Sequence, residues 1–179
     1  MAFSAAAKSA FEKIKQGPVA VYFDFNTADE VEVFVDGGIS PEFERGQENA
    51  EVDLLNVYDS FSTGDGATFE LALSEQSLDA MKVLFGDQAD ANAASDYQPF
   101  GHAAGVSGRT NAKEVTIMPW QDRRDSTVKI VFWKCIPEGN LANTFNKTES
   151  WKNTQTFRAL PDLDKVNGEL IGRFYAPDR

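Results

Sequence analysis

Residues 18–36 read PVAVYFDFNTADEVEVFVD, and this stretch decides the fold class. Pro18 to Phe25 is dense in β-branched and aromatic residues, which fit a pleated, buried surface better than a helix. Asn26 to Asp29 supplies turn chemistry, and Glu30 to Asp36 then alternates charged and apolar residues with period two. The two runs predict a hairpin. In its second strand Val31, Val33 and Val35 face a core, while Glu30, Glu32 and Asp36 lie on the opposite face.

The same grammar continues along the chain. Gly37-Gly38 breaks the second run, and residues 37–50 are poor in aliphatics, with Glu42, Glu44 and Glu48 around Phe43, so an exposed excursion is expected. Strand-like residues return at Glu51 to Tyr58, a Thr63-Gly64-Asp65-Gly66 turn follows, and Ala67 to Leu73 alternates again. Leu78, Met81, Leu84 and Phe85 recur at helical spacing, Ser74 or Ser77 can cap the helix, and Gly86 ends it. An amphipathic helix or arm is also expected over 1–17, with Ala7, Phe11 and Ile14 on one face and Gly17-Pro18 as its stop.

Residues 87–112 hold Ala, Asn, Ser and Gly with few aliphatics and predict a long central connection. Beyond it, Glu114 to Trp120, Thr127 to Ile136 (TVKIVFWKCI), Trp151 to Leu160 and Glu169 to Ala176 read as strands. Pro137-Glu138-Gly139-Asn140, Pro161-Asp162 and Asn167-Gly168 act as punctuation between them. At 179 residues and 42% hydrophobic, the chain is expected to form one domain over 1–179.

Charge is unevenly placed. Residues 1–90 carry 5 Lys and Arg against 18 Asp and Glu, whereas residues 91–179 carry 12 against 10. An acidic half repels phosphate backbones, which argues against tight nucleic-acid binding by charge neutralisation. Cys135 is the only cysteine, which excludes an internal disulfide and fits a small buried hydrophobe. No apolar run is long enough for a membrane helix, and the N-terminus lacks the apolar core of a signal peptide.

Catalytic signatures are scarce. His102 is the single histidine, so a His-cluster zinc site is ruled out and a His-based triad has one residue to choose from; an exposed loop histidine is the ordinary alternative. The glycines at 101, 105 and 108 form neither GxGxxG nor a P-loop. The stretch from Asp24 compares with an EF-hand loop, yet Asp29 stands where Gly is needed and Val35 where Glu is needed. Trp120, Trp133 and Trp151 could build a glycan-stacking platform, although Trp133 lies inside the most apolar strand and reads as core.

Two stretches carry a family resemblance: Phe61 to Leu78 (FSTGDGATFELALSEQSL), and Lys134-Cys135-Ile136-Pro137-Glu138-Gly139-Asn140 followed by Trp151 to Leu160 and Pro161-Asp162. In the order of its elements the chain resembles the tail tube proteins of long-tailed, non-contractile bacteriophages, over most of its length. The resemblance implies a mainly β fold, a β-sandwich or partial barrel with one flanking helix, an N-terminal helix and extended loops. It implies hexameric rings that stack into a hollow tube for genome passage, with no catalysis, cofactor or membrane contact. Partners would be further copies, a tape measure protein, a tail terminator and baseplate or distal tail proteins, and the location the virion tail. In that setting Glu30, Glu32 and Asp36 are candidates for the channel wall, and Glu42, Phe43 and Glu44 for the contact to the next ring. A tail terminator or secretion-system tube protein is the near alternative, and a glycan-binding β-sandwich module the alternative of another class.

Overall fold

A computed structural model of the chain describes residues 18–35, 38–52, 55–73, 77–84, 107–122, 124, 127–144 and 152–175. The expected N-terminal helix, residues 87–106 of the central connection, Asp36, His102 and Trp151 lie outside the described residues.

The protein is mainly β. Among the described residues its strands are β1 (Val19–Phe23), β2 (Val31–Phe34), β3 (Glu42–Val52), β4 (Leu55–Leu73), β5 (Lys113–Pro119), β6 (Lys129–Thr144), β7 (Lys152–Ala159) and β8 (Gly172–Tyr175), with one short α-helix, α1 (Leu78–Leu84). All strands join one antiparallel sheet in the order β2-β1-β5-β6-β7-β4-β3, with β8 added to β6. A bridge between Val35 and Leu73 ties the end of β2 back to β4. The strand order therefore curls round and meets itself, the partial-barrel form of the expected fold.

The β1–β2 hairpin forms in the expected place, with Val21 opposite Val33 and Tyr22 opposite Glu32. Val33 is buried and Val31 and Val35 pack against the core, so the period-two reading of this strand holds. Inside the barrel, Val21, Phe23, Phe69, Leu71, Val115, Phe132 and Phe157 form the main cluster. Its rings make a column: Phe23 to Phe157 at 5.5 Å, Phe157 to Phe69 at 5.7 Å, Phe69 to Phe132 at 5.1 Å. Buried rings at these spacings add offset-stacking energy to their area burial. Cys135 belongs to this core, and burial pushes its thiol far above the usual range, which leaves it unreactive.

Helix α1 is capped by Ser77, whose hydroxyl accepts the Ala80 amide at 3.2 Å. Ala80, Val83 and Leu84 then enter the core. Seven residues are too few for a stable helix in water, so this packing holds it.

Four expectations fail, and each failure has a backbone cause. Residues 42–50 are not a loop: from Glu42 they are strand β3, paired along β4. Their pattern lacks aliphatics because past its base this strand pairs only with β4 among the described residues, and period-two hydrophobicity is a signal only where one face is buried. The Gly64-Asp65-Gly66 segment is not a turn but lies within β4, opposite Glu44, Arg45 and Gly46. The register slips there, with Gly46 opposite Gly64 and Gln47 opposite Ser62, and Gly64 adopts φ +125°, the mark of a glycine-assisted bulge. The expected strand 51–58 is instead split across the hairpin's end, where Val52 pairs with Leu55.

Likewise Pro137 to Asn140 does not end β6, which continues to Thr144 through a register shift between Glu138 and Ala142. Pro137 lies past Cys135, the last residue paired to β5. Among the described residues one edge of β6 carries no partner strand there, so a residue without an N–H costs the ladder less.

Candidate assembly surfaces

The β3–β4 hairpin has two parts. At its base, Ala67 and Thr68 of β4 pair with Phe43 and Glu42 on one side and with Ala159 and Arg158 of β7 on the other. Beyond that base the strands pair only with each other among the described residues, out to Val52 and Leu55. Eight further residues of β3 past Glu44 span roughly 25 Å at strand rise. The outer edge of β3 carries no partner strand among the described residues, nor does the outer edge of β8.

Glu42, Phe43 and Glu44 sit together at the base of this arm, and all three are exposed. Pleating divides them: Phe43 stands opposite Ala67 on the core side, whereas Glu42 and Glu44 take the other face. The Phe43 ring lies 6.0 Å from Phe132 and so extends the aromatic column out of the core. A cavity of about 500 Å³ opens beside it, between Gly64 to Gly66 and the segment from Pro161 to Phe174.

That segment is clasped to the barrel. The Trp133 indole N–H donates to the Glu169 carbonyl at 2.8 Å, the Trp133 amide donates to Ile171, and Lys165 stands over the indole at 4.1 Å. Asp162 is buried against Lys134 at 2.6 Å, and this ammonium holds its carboxyl below the usual aspartate range. Trp133 is therefore not a pure core residue: it clasps this segment to β6. Trp120 packs elsewhere, against the small cluster of Ala20, Tyr22 and Met118 on the other face of β1 and β5.

Of the channel-wall candidates, Glu30 and Glu32 lie within the described residues, and they meet at one arginine. Arg124 contacts Glu30 at 2.6 Å and Glu32 at 3.9 Å, with its guanidinium 5.4 Å from the centre of the Tyr22 ring. Tyr22 donates to Glu32 at 3.1 Å, and Glu30 accepts the Asn26 amide at 2.8 Å. The sequence reading found both carboxylates but missed Arg124, which is 94 residues away from Glu30 in a charged turn with no periodic signal.

A second cavity, of about 610 Å³, is walled by Asp24, Asp29, Glu30, Asp79, Lys82 and Lys113 among others. Its charges are largely spent on each other: Lys113 holds Asp24 at 2.7 Å and Lys82 holds Asp79 at 3.2 Å. Among the described residues, no group of three or more His, Cys, Asp or Glu is placed to hold a metal ion. Beside this cavity Glu114 is pushed above the usual glutamate range, first by burial and then by Asp24. No helix among the described residues is long and apolar enough to cross a membrane.

Comparison with solved structures finds partial overlaps. A chain of the sheath–tube complex of an extracellular contractile injection system, PVC, in its extended state aligns with a TM-score of 0.47 at 10% identity, over 88% of this chain and 93% of that one. A chain of the anti-feeding prophage (AFP) baseplate gives 0.42 at 13% identity, over 81% and 90%. One from the PVC sheath/tube terminator in its extended state gives 0.42 at 10% identity, over 81% and 89%. No protein-family model matches the chain, and no curated protein matches it by sequence.

Proposed function

We propose that the chain is the repeating subunit of a phage-tail-type tube. Copies join side by side into rings of six, the rings stack, and DNA passes along the hollow axis. The observation that carries this reading is the β3–β4 arm, whose strands beyond the barrel pair only with each other among the described residues. An isolated two-stranded hairpin is marginal in water, and a long open edge is a template for another strand. Identical copies meet both needs at once.

The finer reading follows the sequence resemblance: a non-contractile, long-tailed phage, with Glu30, Glu32 and Asp36 towards the channel and Glu42, Phe43 and Glu44 towards the next ring. Glu30 and Glu32 meet at Arg124, and in this reading a channel wall rich in carboxylates lets DNA slide without adhering. In this role the chain acts by geometry and charge, without catalysis or cofactor, and its further partners are tape measure, terminator and distal tail proteins.

Electron microscopy of the purified protein at high concentration tests the proposal. Tubes of constant width with six-fold rings are the expected result. Rings that never stack would identify a terminator instead, and a species that stays monomeric even with tail extracts would overturn the reading.

A further inference from the structure

The segment clasped by Trp133 and Lys134 contains the one Asn-Gly pair in the sequence, Asn167-Gly168. The chain turns there: the Glu169 amide donates to the Val166 carbonyl at 3.0 Å, and Gly168, third in the turn, has φ +94°. A type II turn asks for positive φ at that position, and glycine supplies it without steric cost. Asn167 and Gly168 are both exposed, and neither makes a hydrogen bond with another described residue. A Cβ built on Gly168 would meet nothing within 4 Å, so the peptide between the two residues is free to rotate.

These are the conditions under which an asparagine side chain reacts with its own backbone. Glycine leaves its amide nitrogen unshielded, and an N–H facing water gives up no protein hydrogen bond when it reacts. The residue pair alone does not suffice. Asp65-Gly66 is chemically comparable, since aspartate forms the same cyclic imide with loss of water, yet its backbone is held in β4 opposite Arg45 and Glu44. The ladder keeps that nitrogen away from the side-chain carbon, whereas at Asn167 a single turn hydrogen bond stands in the way.

We propose that Asn167-Gly168 is a site of spontaneous covalent modification, deamidation through a succinimide, which leaves aspartate or isoaspartate at position 167. The Gly168 nitrogen bonds to the Asn167 Cγ and gives its proton to solvent, while the side-chain nitrogen takes up a proton and leaves as ammonia. Water then opens the ring. Cleavage between the Gly168 nitrogen and Cγ yields aspartate, and cleavage between that nitrogen and the main-chain carbonyl carbon yields isoaspartate. Nothing is oxidised or reduced, and water is the only co-reactant.

The position gives the product its effect. Asn167 shares the wall of the cavity of about 500 Å³ with Leu163, Leu170 and Phe174, so either product adds a carboxylate beside apolar surface, where burial by anything covering it becomes costly. Isoaspartate also lengthens the main chain by a carbon atom, two residues before the Glu169 carbonyl that accepts the Trp133 indole. The modification thus ages this face of the protein, whatever the face contacts, and the inference does not depend on the tube-subunit reading.

The test follows full-length protein over time at neutral and mildly alkaline pH, folded and in urea. Trypsin cuts after Lys165 and Arg173 and releases Val166 to Arg173, in which conversion appears as a gain of about 1 Da. In the folded protein this peptide is expected to convert before any other asparagine peptide, at a rate within about tenfold of that in urea, a barrier difference of at most about 1.4 kcal/mol. The product should split into two chromatographic peaks, one of them a substrate for an isoaspartyl methyltransferase. N167Q, which leaves the turn backbone unaltered, should abolish the gain in this peptide. If the peptide converts in urea but stays unmodified in the folded protein, the turn protects it and the proposal falls. It falls equally if another asparagine of the folded chain converts first.

Discussion

The ring of Phe43, largely exposed at the base of the arm, lies tilted at 31° with its centre 6.0 Å from that of Phe132, which is buried in the barrel. These two rings join an outward-facing surface to the core without a gap, yet they differ in what they do for the fold. Truncating Phe132 empties the middle of the aromatic column, and F132A is expected to cost about 3–5 kcal/mol. F43A removes a ring already in water and is expected to cost less than about 1 kcal/mol. Urea titrations of both variants measure the difference. In the assembly assay F43A should fail although its monomer is stable, which separates a contact residue from a core one.

Gly172 is where the backbones of β8 and β6 approach closely. A Cβ built on it would stand 2.2 Å from the Val131 carbonyl oxygen, so β8 can lie against β6 only while this position is glycine. G172A is expected to pry β8 away and cost about 1–3 kcal/mol. Faster amide exchange across Val131 to Phe132 and Gly172 to Tyr175, with the β1–β5 rungs unchanged, is the expected pattern. Uniform loss of protection would show instead that β8 is required for the whole barrel.

Arg124 bridges Glu30 and Glu32, whose side chains retain only 14% and 24% of their surface. Removing it leaves two half-buried carboxylates facing each other. R124A is expected to destabilise by about 0.5–1 kcal/mol, near the upper end for partly exposed pairs. The variant combined with E32Q should recover most of that loss, since the repulsion goes with the charge. Thermal melts of the four members of the cycle decide it, and additive losses would mean that the three groups do not act together.

The barrel's half of the fold was legible in the sequence because its strands bury one face. Val31, Val33 and Val35 alternate with charged residues, and Leu78 to Leu84 repeats at helical spacing, so each element's pattern reports its own packing. The arm was not legible for the complementary reason. Glu42 to Glu48 and the Gly64-Asp65-Gly66 stretch are strand only through pairing with each other, without a core to impose alternation, so glycine and acidic residues there imitate a loop and a turn. The candidate surfaces divide the same way. Glu30 and Glu32 could be picked from the strand pattern, whereas Arg124, Leu163 and Phe174 reach their sites by long-range folding that no local spacing encodes.

Two carboxyls respond to acid with opposite signs. The Lys134 ammonium holds Asp162 below the usual aspartate range, so its contribution to stability is present at and above that range and is lost as pH falls through its lowered value. Burial and the charge of Asp24 hold Glu114 above the usual glutamate range, so its ionisation opposes folding, and the penalty grows as pH rises from the unfolded value through the raised one. D162N should therefore lower Tm at pH 7 and lose its effect well below pH ~4. E114Q should raise Tm at pH 7 by a small amount, about 1–2 °C for a gain within 0.5 kcal/mol, and the gain should vanish at pH ~4, where the native carboxyl is already protonated. Melting curves of both variants against the unaltered chain across this range are expected to diverge in opposite directions as pH rises. A shift of the same sign in both would mean that Asp24 and Lys134 do not set these two environments.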